Sequence, residues 1–448
     1  MVAGAVLVFA LAAGAAGCGE ARRQAIVLVV IDTLRADHMS VYGYDRPTSP
    51  VLEQQAGDAV VFDRAFATAP WTLPSIASIV TGLLPSTHGG GRVYFEDDGD
   101  QQVTGMNPEI RTIMQELQAA GYVTHGIGNA IYVNGGFGFD RGLDVYDWQG
   151  ASDSQVRTAD VTVDLALEFI DAHRDDDFFL LVHMFDPHRH YDAPEPFRGM
   201  FTEVFAGTYG ETLATRESRD RAEDNLDWPF IVAAYDEEVA FVDHQVGRLL
   251  DGLRSHGLLQ DGLVVLTSDH GETMDEHADP GHGATLYDEV LRVPMMVWGG
   301  GLVPGRRLDP VSTVDIASTI LTAAAIDLEQ LEQPLDGISL WPALSGGADL
   351  PERMLFAERS FGSQRQLKSV IRWPLKLVVN SSDDAPRLFN LENDPAERHD
   401  LWGTRSDDYY EFVAAIQRLE AIEQGQPADY RQLDPQTLKA LRALGYVR

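Results

Sequence analysis

Short apolar runs that alternate with helix-like segments constrain this chain most. The runs AIVLVVID (25–32), FFLLVHMF (178–185) and GLVVLTSD (262–269) are continuous and apolar, as in strands that are buried on both faces. Between the last two, apolar residues recur with helical spacing within 231–256. Strands that alternate with helices predict an α/β fold, in which a parallel sheet is covered by helices on both sides.

Two carboxylates stand where predicted strands end. Asp32 closes the first apolar run and Asp269 closes the third. In open parallel sheets, ligands bind beyond the carboxyl ends of the strands. The sequence therefore predicts that both carboxylates lie at the ligand-binding edge of the sheet.

Four segments carry polar residues that a buried core would not favour. Together they hold seven of the 13 histidines, alongside several carboxylates. Histidines and carboxylates that cluster at strand ends favour a metal site or an acid–base site. The segments are VVIDTLRADH (29–38), APWTLPSIASIVTG (69–82), HMFDPHRHYDAP (183–194) and TSDHGETMDEHADPGHGATLYDE (267–289).

The charge balance restricts the partners. The 448-residue chain has a formal net charge of −35, from 34 Lys and Arg against 69 Asp and Glu. Nucleic-acid binding needs basic surfaces, so we expect no nucleic-acid partner. An anionic substrate would be repelled by the overall field and would need a metal or local positive groups.

Thr72 begins a predicted helix and allows two interpretations. Threonine is a favoured N-cap, because its hydroxyl accepts a hydrogen bond from a free backbone N–H group. Alternatively, it is a nucleophile at the positive end of the helix, where anions are stabilised. The local sequence leaves both interpretations open.

The first 18 residues resemble a secretion signal. Residues 2–17 are small and apolar, too short a stretch to span a bilayer but suited to a signal-peptide core. AAGC, which ends at Cys18, resembles a bacterial lipobox, so we expect an exported lipoprotein that is anchored to the membrane in the periplasm or at the cell surface. The alternative is a plain signal peptide with an incidental cysteine.

The chain divides into three predicted regions: a signal peptide with its lipobox (1–18), a catalytic domain (24–345) and a C-terminal subdomain (346–448). Beyond about residue 350, short strand-like pieces are separated by Asp- and Pro-containing turns, which predicts a small antiparallel sheet. A helical tail is expected from about 406. Within the catalytic domain, a helix is predicted over 107–122, with Asn107 as its cap, and further elements over 293–300 and 313–326.

Seven motifs, in this order, resemble the sulfatase family of the alkaline phosphatase superfamily over roughly residues 25–402. That resemblance implies an alkaline phosphatase-like three-layer sandwich around a mostly parallel sheet, with a small C-terminal α+β subdomain. The closing LRALGYV is also similar to the family. The motifs are VLVVIDTLRADHMSVYGYDRPTSP, PSIASIVTGLLPSTHG, GFGFDRGLD, DPHRHYDAP, SDHGE, GHGATLYDEVLRVPMMV and LFNLENDPAERHDL.

The resemblance also implies roles for individual residues. Asp32, Asp269 and His270 correspond to ligands of one divalent metal ion (Ca, Mn or Zn), which the nucleophile also contacts. Such a donor set suits a borderline cation. His188 and His282 correspond to groups that hold the anionic oxygens of the substrate and protonate the leaving group.

The nucleophile motif departs from the family pattern. Sulfatases carry Cys or Ser in C/S-x-P-x-R and convert it to formylglycine, whereas here TLPSI places Thr72 at the nucleophile and Ile76 at the arginine. Thr33 stands where a second Asp is common. Phosphodiesterases and phosphoethanolamine transferases of the superfamily use Thr and usually bind two metals. A second metal would be held by Asp186, His190 and His282, and one or two metals remain open.

We therefore expect an exported, metal-dependent hydrolase of sulfate or phosphate esters, with Thr72 as the candidate nucleophile. Its substrate would be a small anionic ester, such as a sulfated or phosphorylated glycan, lipid or aryl ester. The alternatives are a phosphotransferase of the same superfamily and a catalytically silent protein that binds anions or glycans.

Five further residues have weaker signals. We expect Arg35 to pair with Asp37 or to face the site, Asn129 to pack or to reach the substrate, and Arg189 to be solvated or to meet the substrate. We expect His277 to be an ordinary surface residue or to support the site indirectly, and Trp71 to pack in the core.

Overall fold

The computed structural model describes residues 24–95, 101–150, 157–205, 227–274, 276–277, 281–361, 365–381, 383, 385–404 and 409–425. Cys18, the apolar stretch before it and the segment 426–448 lie outside the described residues. Export and lipid anchoring therefore stay predictions from the sequence. Among the described residues, no helix combines the length and the apolar character that a membrane crossing requires.

The strands of the described residues are β1 (Ala25–Ile31), β2 (Val60–Phe66), β3 (Val93–Phe95), β4 (Gln101–Val103), β5 (Val123–Gly128), β6 (Val145–Trp148), β7 (Phe178–Met184), β8 (Leu263–Ser268), β9 (Arg292–Gly299), β10 (Gly305–Arg307), β11 (Val311–Ser312), β12 (Leu355–Phe361), β13 (Arg365–Arg372), β14 (Leu375–Asn380) and β15 (Arg387–Asn390).

The α-helices of the described residues are α1 (Pro50–Gln55), α2 (Thr72–Thr81), α3 (Pro85–His88), α4 (Ile113–Ala119), α5 (Ala159–His173), α6 (Trp228–Ser255), α7 (Asp288–Leu291), α8 (Asp315–Ala323), α9 (Trp341–Gly346) and α10 (Tyr409–Gly425). Short 3-10 turns lie at Ala36–His38, Ser40–Tyr42, Ala56–Asp58, Ile131–Val133, Gly135–Phe137, Glu203–Phe205 and Leu328–Gln330.

The central sheet has nine strands in the order β10-β2-β9-β8-β1-β7-β5-β6, with β11 also paired to β2. Only β9 runs antiparallel to its neighbours, β8 and β2. At the centre, Ile31 of β1 is in register with Ser268 of β8 and Met184 of β7. The residues that come directly after these three strands therefore emerge side by side at one edge, as the sequence predicts.

Helices cover both faces of this sheet, because the side chains of its central strands are apolar on both sides. On one face, α2, α4 and α8 share a core with Leu28 and Val30 of β1. On the other face, α5 and α6 share a second core with Val27 and Val29. This arrangement confirms the predicted three-layer α/β fold with a mostly parallel sheet.

A second, smaller sheet holds the C-terminal strands β12 to β15, which pair antiparallel in sequence order. This confirms the predicted small antiparallel sheet. Two short strands from the first part of the chain, β3 and β4, extend the same sheet beyond β12. Helix α10 covers it through Phe412 and Ile416.

The predicted helix over 107–122 is wrong at its start. The helix begins at Ile113, and its N-cap is Thr112 rather than Asn107. Thr112 accepts a hydrogen bond from the Gln115 N–H group, and the Gln115 side chain accepts one from Thr112. This capping box satisfies two backbone groups at once, whereas the side-chain oxygen of Asn107 accepts a bond from the Glu109 N–H group in the preceding turn.

A buried ion cluster joins the small sheet to the catalytic domain. The Nζ atom of Lys376, on β14, lies 2.9 Å from Asp288 at the start of α7 and 2.9 Å from Glu397. The lysine is fully buried, and these two carboxylates compensate its charge. Removing one partner from such a cluster leaves uncompensated buried charge, which is costly.

We expect Lys376→Met to lower the free energy of unfolding by about 3–5 kcal/mol, because two buried carboxylates lose their cation. Urea denaturation followed by tryptophan fluorescence would measure this loss. The control is Arg174→Met, which removes the exposed pair with Asp171 and should change the free energy by less than about 1 kcal/mol. Equal effects in the two variants would contradict the prediction.

Candidate active site

Asp32, Asp269 and His270 converge at the carboxyl edge of the central sheet. They come directly after β1 and β8, so the pairing of these strands brings them together. One donor atom from each lies within 4.8 Å of the others. The His270 Nε2 atom is 3.6 Å from Asp32 Oδ1 and 3.4 Å from Asp269 Oδ2. Among the described residues, this is the group of three that fits a metal ion.

The two carboxylates of this group are buried, and most of their oxygens have no hydrogen-bond partner among the described residues. Both oxygens of Asp32 and the Oδ2 atom of Asp269 have no hydrogen-bond partner among the described residues. Burial, and next the charge of Asp269, raise the pKa of Asp32 well above its usual value. Burial likewise raises the pKa of Asp269 to about 7. Two such carboxylates fit a divalent cation, which offsets their charge and takes up the free oxygens.

The imidazole of His270 is oriented as a ligand. Its Nδ1 atom lies 2.8 Å from the carbonyl oxygen of Gly271 and donates a hydrogen bond to it. Nε2 then carries the lone pair that faces the carboxylates. Burial lowers the pKa of His270 well below its usual value, so the ring is neutral. A neutral imidazole whose second nitrogen is held by a carbonyl is the usual form of a metal-binding histidine.

Thr72 is the first residue of α2, not its cap. Trp71 occupies the N-cap position, and no side chain caps this helix. The Thr72 Oγ1 atom instead lies 3.3 Å from His270 Nε2 and is almost fully buried. The capping interpretation therefore fails, and the hydroxyl points into the group formed by Asp32, Asp269 and His270.

His188 and His282 stand above this group. The His282 ring lies 4.6 Å from that of His270 and 5.1 Å from that of His188, between ring centroids. Its Nδ1 atom is 3.2 Å from the nearer oxygen of Glu272. Burial disfavours the charged form of His282, but the charge of Glu272, its hydrogen bond and the charge of Asp269 together outweigh burial and raise the pKa of the imidazole. Burial, and next the charge of His282, lower the pKa of His188 to about 3.

Tyr235, on α6, fixes the loop that carries Asp32. Its hydroxyl donates a hydrogen bond to the Thr33 carbonyl at 2.8 Å and accepts one from the Arg35 N–H group at 2.9 Å. Thr33 has a φ angle of 56°, a conformation that β-branched residues rarely adopt. The surrounding contacts offset a strain of about 1–3 kcal/mol at this position.

The second metal set suggested by the sequence does not assemble among the described residues. Asp186 accepts a hydrogen bond from the Ala159 N–H group at 2.7 Å and so holds the first turn of α5. His190 is exposed, whereas Asp186 is buried. Within the part of the chain that the structure describes, Asp186, His190 and His282 do not form a group that fits a cation. A second metal at these residues therefore stays a prediction from the sequence.

The weaker candidates are mostly structural. Arg35 pairs with Asp37 at 2.8 Å and with Glu276 at 2.6 Å. The Asn129 amide donates to Thr162 at 2.9 Å from a fully buried position. His277 stacks on the ring of Tyr287, at 3.8 Å between centroids, and contacts Glu289, while Trp71 packs against Tyr132 and Arg189 is exposed.

Two residues near the site have roles that sequence reasoning misses. The sequence pattern marks Tyr235 only as an apolar position of a helix, and nothing in it singles out the hydroxyl. His183 stands out as polar but without a role, yet its ring is buried with Nε2 3.7 Å from Asp32 Oδ2. A histidine inside an apolar strand is the signal that could have identified it.

Comparisons with known proteins identify the family and the fold. The model of the sulfatase family matches residues 24–326. An arylsulfatase from Clostridium perfringens is 25% identical over 473 residues, which covers 89% of this chain and 95% of that protein. The structure of BT4656 in complex with D-glucosamine-2-N,6-O-disulfate matches with a TM-score of 0.71 at 19% identity, over 91% of this chain and 99% of that one. A phosphonate monoester hydrolase from Agrobacterium radiobacter matches with a TM-score of 0.70 at 20% identity, over 92% and 99%.

We expect Asp32→Asn to abolish the gain in melting temperature that a divalent metal gives the chelator-treated protein. Without metal, the variant should melt no lower than the parent, because the substitution removes one of two mutually repelling buried carboxylates. Metal at 100 times its dissociation constant stabilises the parent by about 2.7 kcal/mol. Thermal unfolding with and without Mn²⁺, Zn²⁺ or Ca²⁺ checks both expectations.

The matched control is Asp243→Asn, since Asp243 is a buried carboxylate elsewhere that accepts bonds from the Val51 and Leu52 N–H groups. This variant should lose stability in both conditions and keep the gain from metal. A metal-induced gain that survives in Asp32→Asn would show that the ion binds elsewhere.

Proposed function

The chain belongs to the sulfatase family, whose model spans residues 24–326, and on this basis we propose that it is a metal-dependent hydrolase of sulfate or phosphate esters with Thr72 as its nucleophile. The observation that carries the proposal is the position of the Thr72 hydroxyl, 3.3 Å from the Nε2 atom of His270. The hydroxyl makes no capping bond. It is therefore free to act on a substrate that reaches the N-terminus of α2.

The metal ion would be held by Asp32, Asp269, His270 and the Thr72 hydroxyl. When bound, it supplies a positive charge that lowers the pKa of the hydroxyl and stabilises the transferred anion. Around it, Asp269 is fixed by its own loop, because its Oδ1 atom accepts bonds from the N–H groups of His270 and Thr33. Ser75, on α2, donates to the Asp269 carbonyl and ties the helix to this loop.

In the first step, the Thr72 hydroxyl loses its proton to water and Oγ1 attacks the sulfur or phosphorus atom. The new bond to Oγ1 forms while the bond to the leaving oxygen breaks, in line. Water then attacks the same central atom and gives one proton back to His282, the bond to Oγ1 breaks, and Oγ1 takes up a proton from solvent as the inorganic or organic anion departs. The backbone N–H groups at the start of α2 favour the anion during both steps.

The leaving oxygen needs a proton, and His282 suits that task better than His188. Glu272 holds the Nδ1 side of His282 and favours its protonated form. The Nε2 side of the ring is then the side that can donate. The neutral ring of His188 lies 5.1 Å from that of His282, between ring centroids, and can donate a hydrogen bond to an anionic oxygen of the substrate.

The central atom of the substrate is sulfur or phosphorus, and we infer these two candidates from what related members of the superfamily hydrolyse. BT4656 acts on a sulfated glucosamine, and the Agrobacterium enzyme hydrolyses phosphonate monoesters. Because Thr72 stands at the nucleophile position, the chain lacks the formylglycine motif. Ile76, at the arginine position of that motif, is buried in the apolar core. A phosphate or phosphonate ester is therefore the second candidate beside a sulfate ester, since unmodified threonine is a nucleophile in phosphate-cleaving members of the superfamily.

We expect Thr72→Ala to lower kcat/KM by at least about 10³-fold on any ester that the parent hydrolyses, because the attacking oxygen is lost. Thr72→Ser keeps the hydroxyl and should retain turnover. Metal-reconstituted protein would be assayed with an aryl sulfate, a phosphate monoester, a phosphodiester and a phosphonate monoester.

The matched control for this series is Thr81→Ala, at the other end of α2, where the hydroxyl bonds the Ala77 carbonyl within the helix. It should leave kcat/KM unchanged. Unchanged activity in Thr72→Ala would refute the nucleophile assignment. A metal-loaded parent that turns over none of the four esters would favour a binding protein on this fold.

We expect His282→Gln to slow esters with poor leaving groups more than those with good ones. A general acid contributes about 10²–10⁴-fold where the leaving oxygen needs a proton, and little where the leaving group is a stable phenolate. The measurement compares kcat/KM for alkyl and 4-nitrophenyl esters of the same acid.

The control for this comparison is His277→Gln, on the same loop, whose ring stacks on Tyr287. It should affect both kinds of ester equally and weakly. An equal loss on alkyl and nitrophenyl esters in His282→Gln would mean that this histidine binds the substrate but does not protonate the leaving group.

A further inference from the structure

The ring of His183 is a buried polar group that the proposed mechanism leaves unused. His183 lies on β7 and is only 2% exposed. Neither of its ring nitrogens has a hydrogen-bond partner among the described residues. An unsatisfied buried donor or acceptor costs about 1–3 kcal/mol. The presence of a histidine at this position of an otherwise apolar strand therefore needs an explanation.

The pairing of the central strands aims His183 at Asp32. On β7, His183 is in register with Val30 of β1, and Asp32 lies two residues beyond Val30. Side chains two residues apart on a strand share one face of the sheet. Accordingly, the Nε2 atom of His183 is 3.7 Å from the Oδ2 atom of Asp32.

The two oxygens of Asp32 face different neighbours. Oδ1 is 3.6 Å from His270 Nε2, on the side where Asp269 and Thr72 also present their oxygens. Oδ2 is the oxygen near His183. The group whose donor atoms lie within 4.8 Å of one another contains Asp32, Asp269 and His270 but not His183. His183 therefore stands beside a ligand of the metal and outside the ligand group.

We propose that His183 is a positioning residue for Asp32, holding Oδ2 through its Nε2–H group so that Oδ1 is directed at the metal. This inference rests on the metal site of the proposed function. The 3.7 Å separation exceeds an ordinary N–H···O distance by about 0.8 Å, so a small side-chain shift completes the bond. Hydrogen-bond partners of metal-binding carboxylates and histidines set metal affinity by about 10–100-fold.

The test removes the donor without adding a polar group. His183→Leu matches the apolar neighbours on β7, and His183→Gln keeps an N–H group at a similar reach. Chelator-treated protein would be titrated with Mn²⁺ by calorimetry, with the electron paramagnetic resonance spectrum of bound Mn²⁺ as a second readout. We expect the dissociation constant to rise about 10–100-fold in the Leu variant and to stay closer to that of the parent in the Gln variant.

Stability without metal separates positioning from a structural role. At 3.7 Å the bond from His183 to Asp32 is not made without metal, so replacing the ring by an apolar group should leave the melting temperature of metal-free protein unchanged or raised. The matched control is His88→Leu: His88 is equally buried, but its ring bonds Ser78 and the Gly90 N–H group. That variant should lose stability and keep the Mn²⁺ affinity of the parent.

Three results would overturn the proposal. The first is a Leu variant that binds Mn²⁺ as tightly as the parent, and the second is one that is markedly less stable than the parent without metal. If the Leu variant fails to fold, His183→Asn gives the same test, since its shorter amide does not reach Asp32 and should bind Mn²⁺ as weakly as expected for Leu. The third is a parent that binds no Mn²⁺, which would remove the metal site itself and with it the proposed function.

Discussion

The rest of the site depends on the mutual repulsion of Asp32 and Asp269, two carboxylates that are buried side by side at the end of the sheet. Neither is paired with a lysine or arginine among the described residues, and three of their four oxygens have no hydrogen-bond partner there. Such a pair is costly in the protein interior, and a divalent cation compensates it better than any single side chain. The elements around the pair keep these oxygens pointed at one place.

That support comes from three different layers of the fold. Helix α6 contributes Tyr235, whose hydroxyl bridges the loop after β1, and α2 contributes Ser75, which bonds the loop after β8. Strand β7 contributes His183 beside the second oxygen of Asp32. Because the layers pack on each other, the positions of the two ligand loops are coupled to the whole central sheet.

The positive charge that the described side chains bring to the site is local and centres on His282, whose pKa is raised by its neighbours. The chain has a net charge of −35, so an anionic substrate approaches against the overall field. Arg35 is committed to Asp37 and Glu276 and does not serve the substrate. Close to Thr72 lies the ring group of His188, His270 and His282. This dependence on histidine makes the acid–base properties of the pocket sensitive to neighbours such as Glu272.

The fold class and the candidate metal site are predictable from the sequence. Continuous apolar runs of this length indicate buried strands, and a parallel sheet gathers the residues at the strand ends, which places Asp32, Asp269 and His270 together. The remaining features depend on tertiary contacts, because different groups compete for each polar atom. Asp186 bonds the first turn of α5, Thr112 caps α4 in place of Asn107, and Trp71 holds the N-cap position of α2, so that the Thr72 hydroxyl makes no capping bond. Strand register, which no local pattern reports, sets His183 against Asp32.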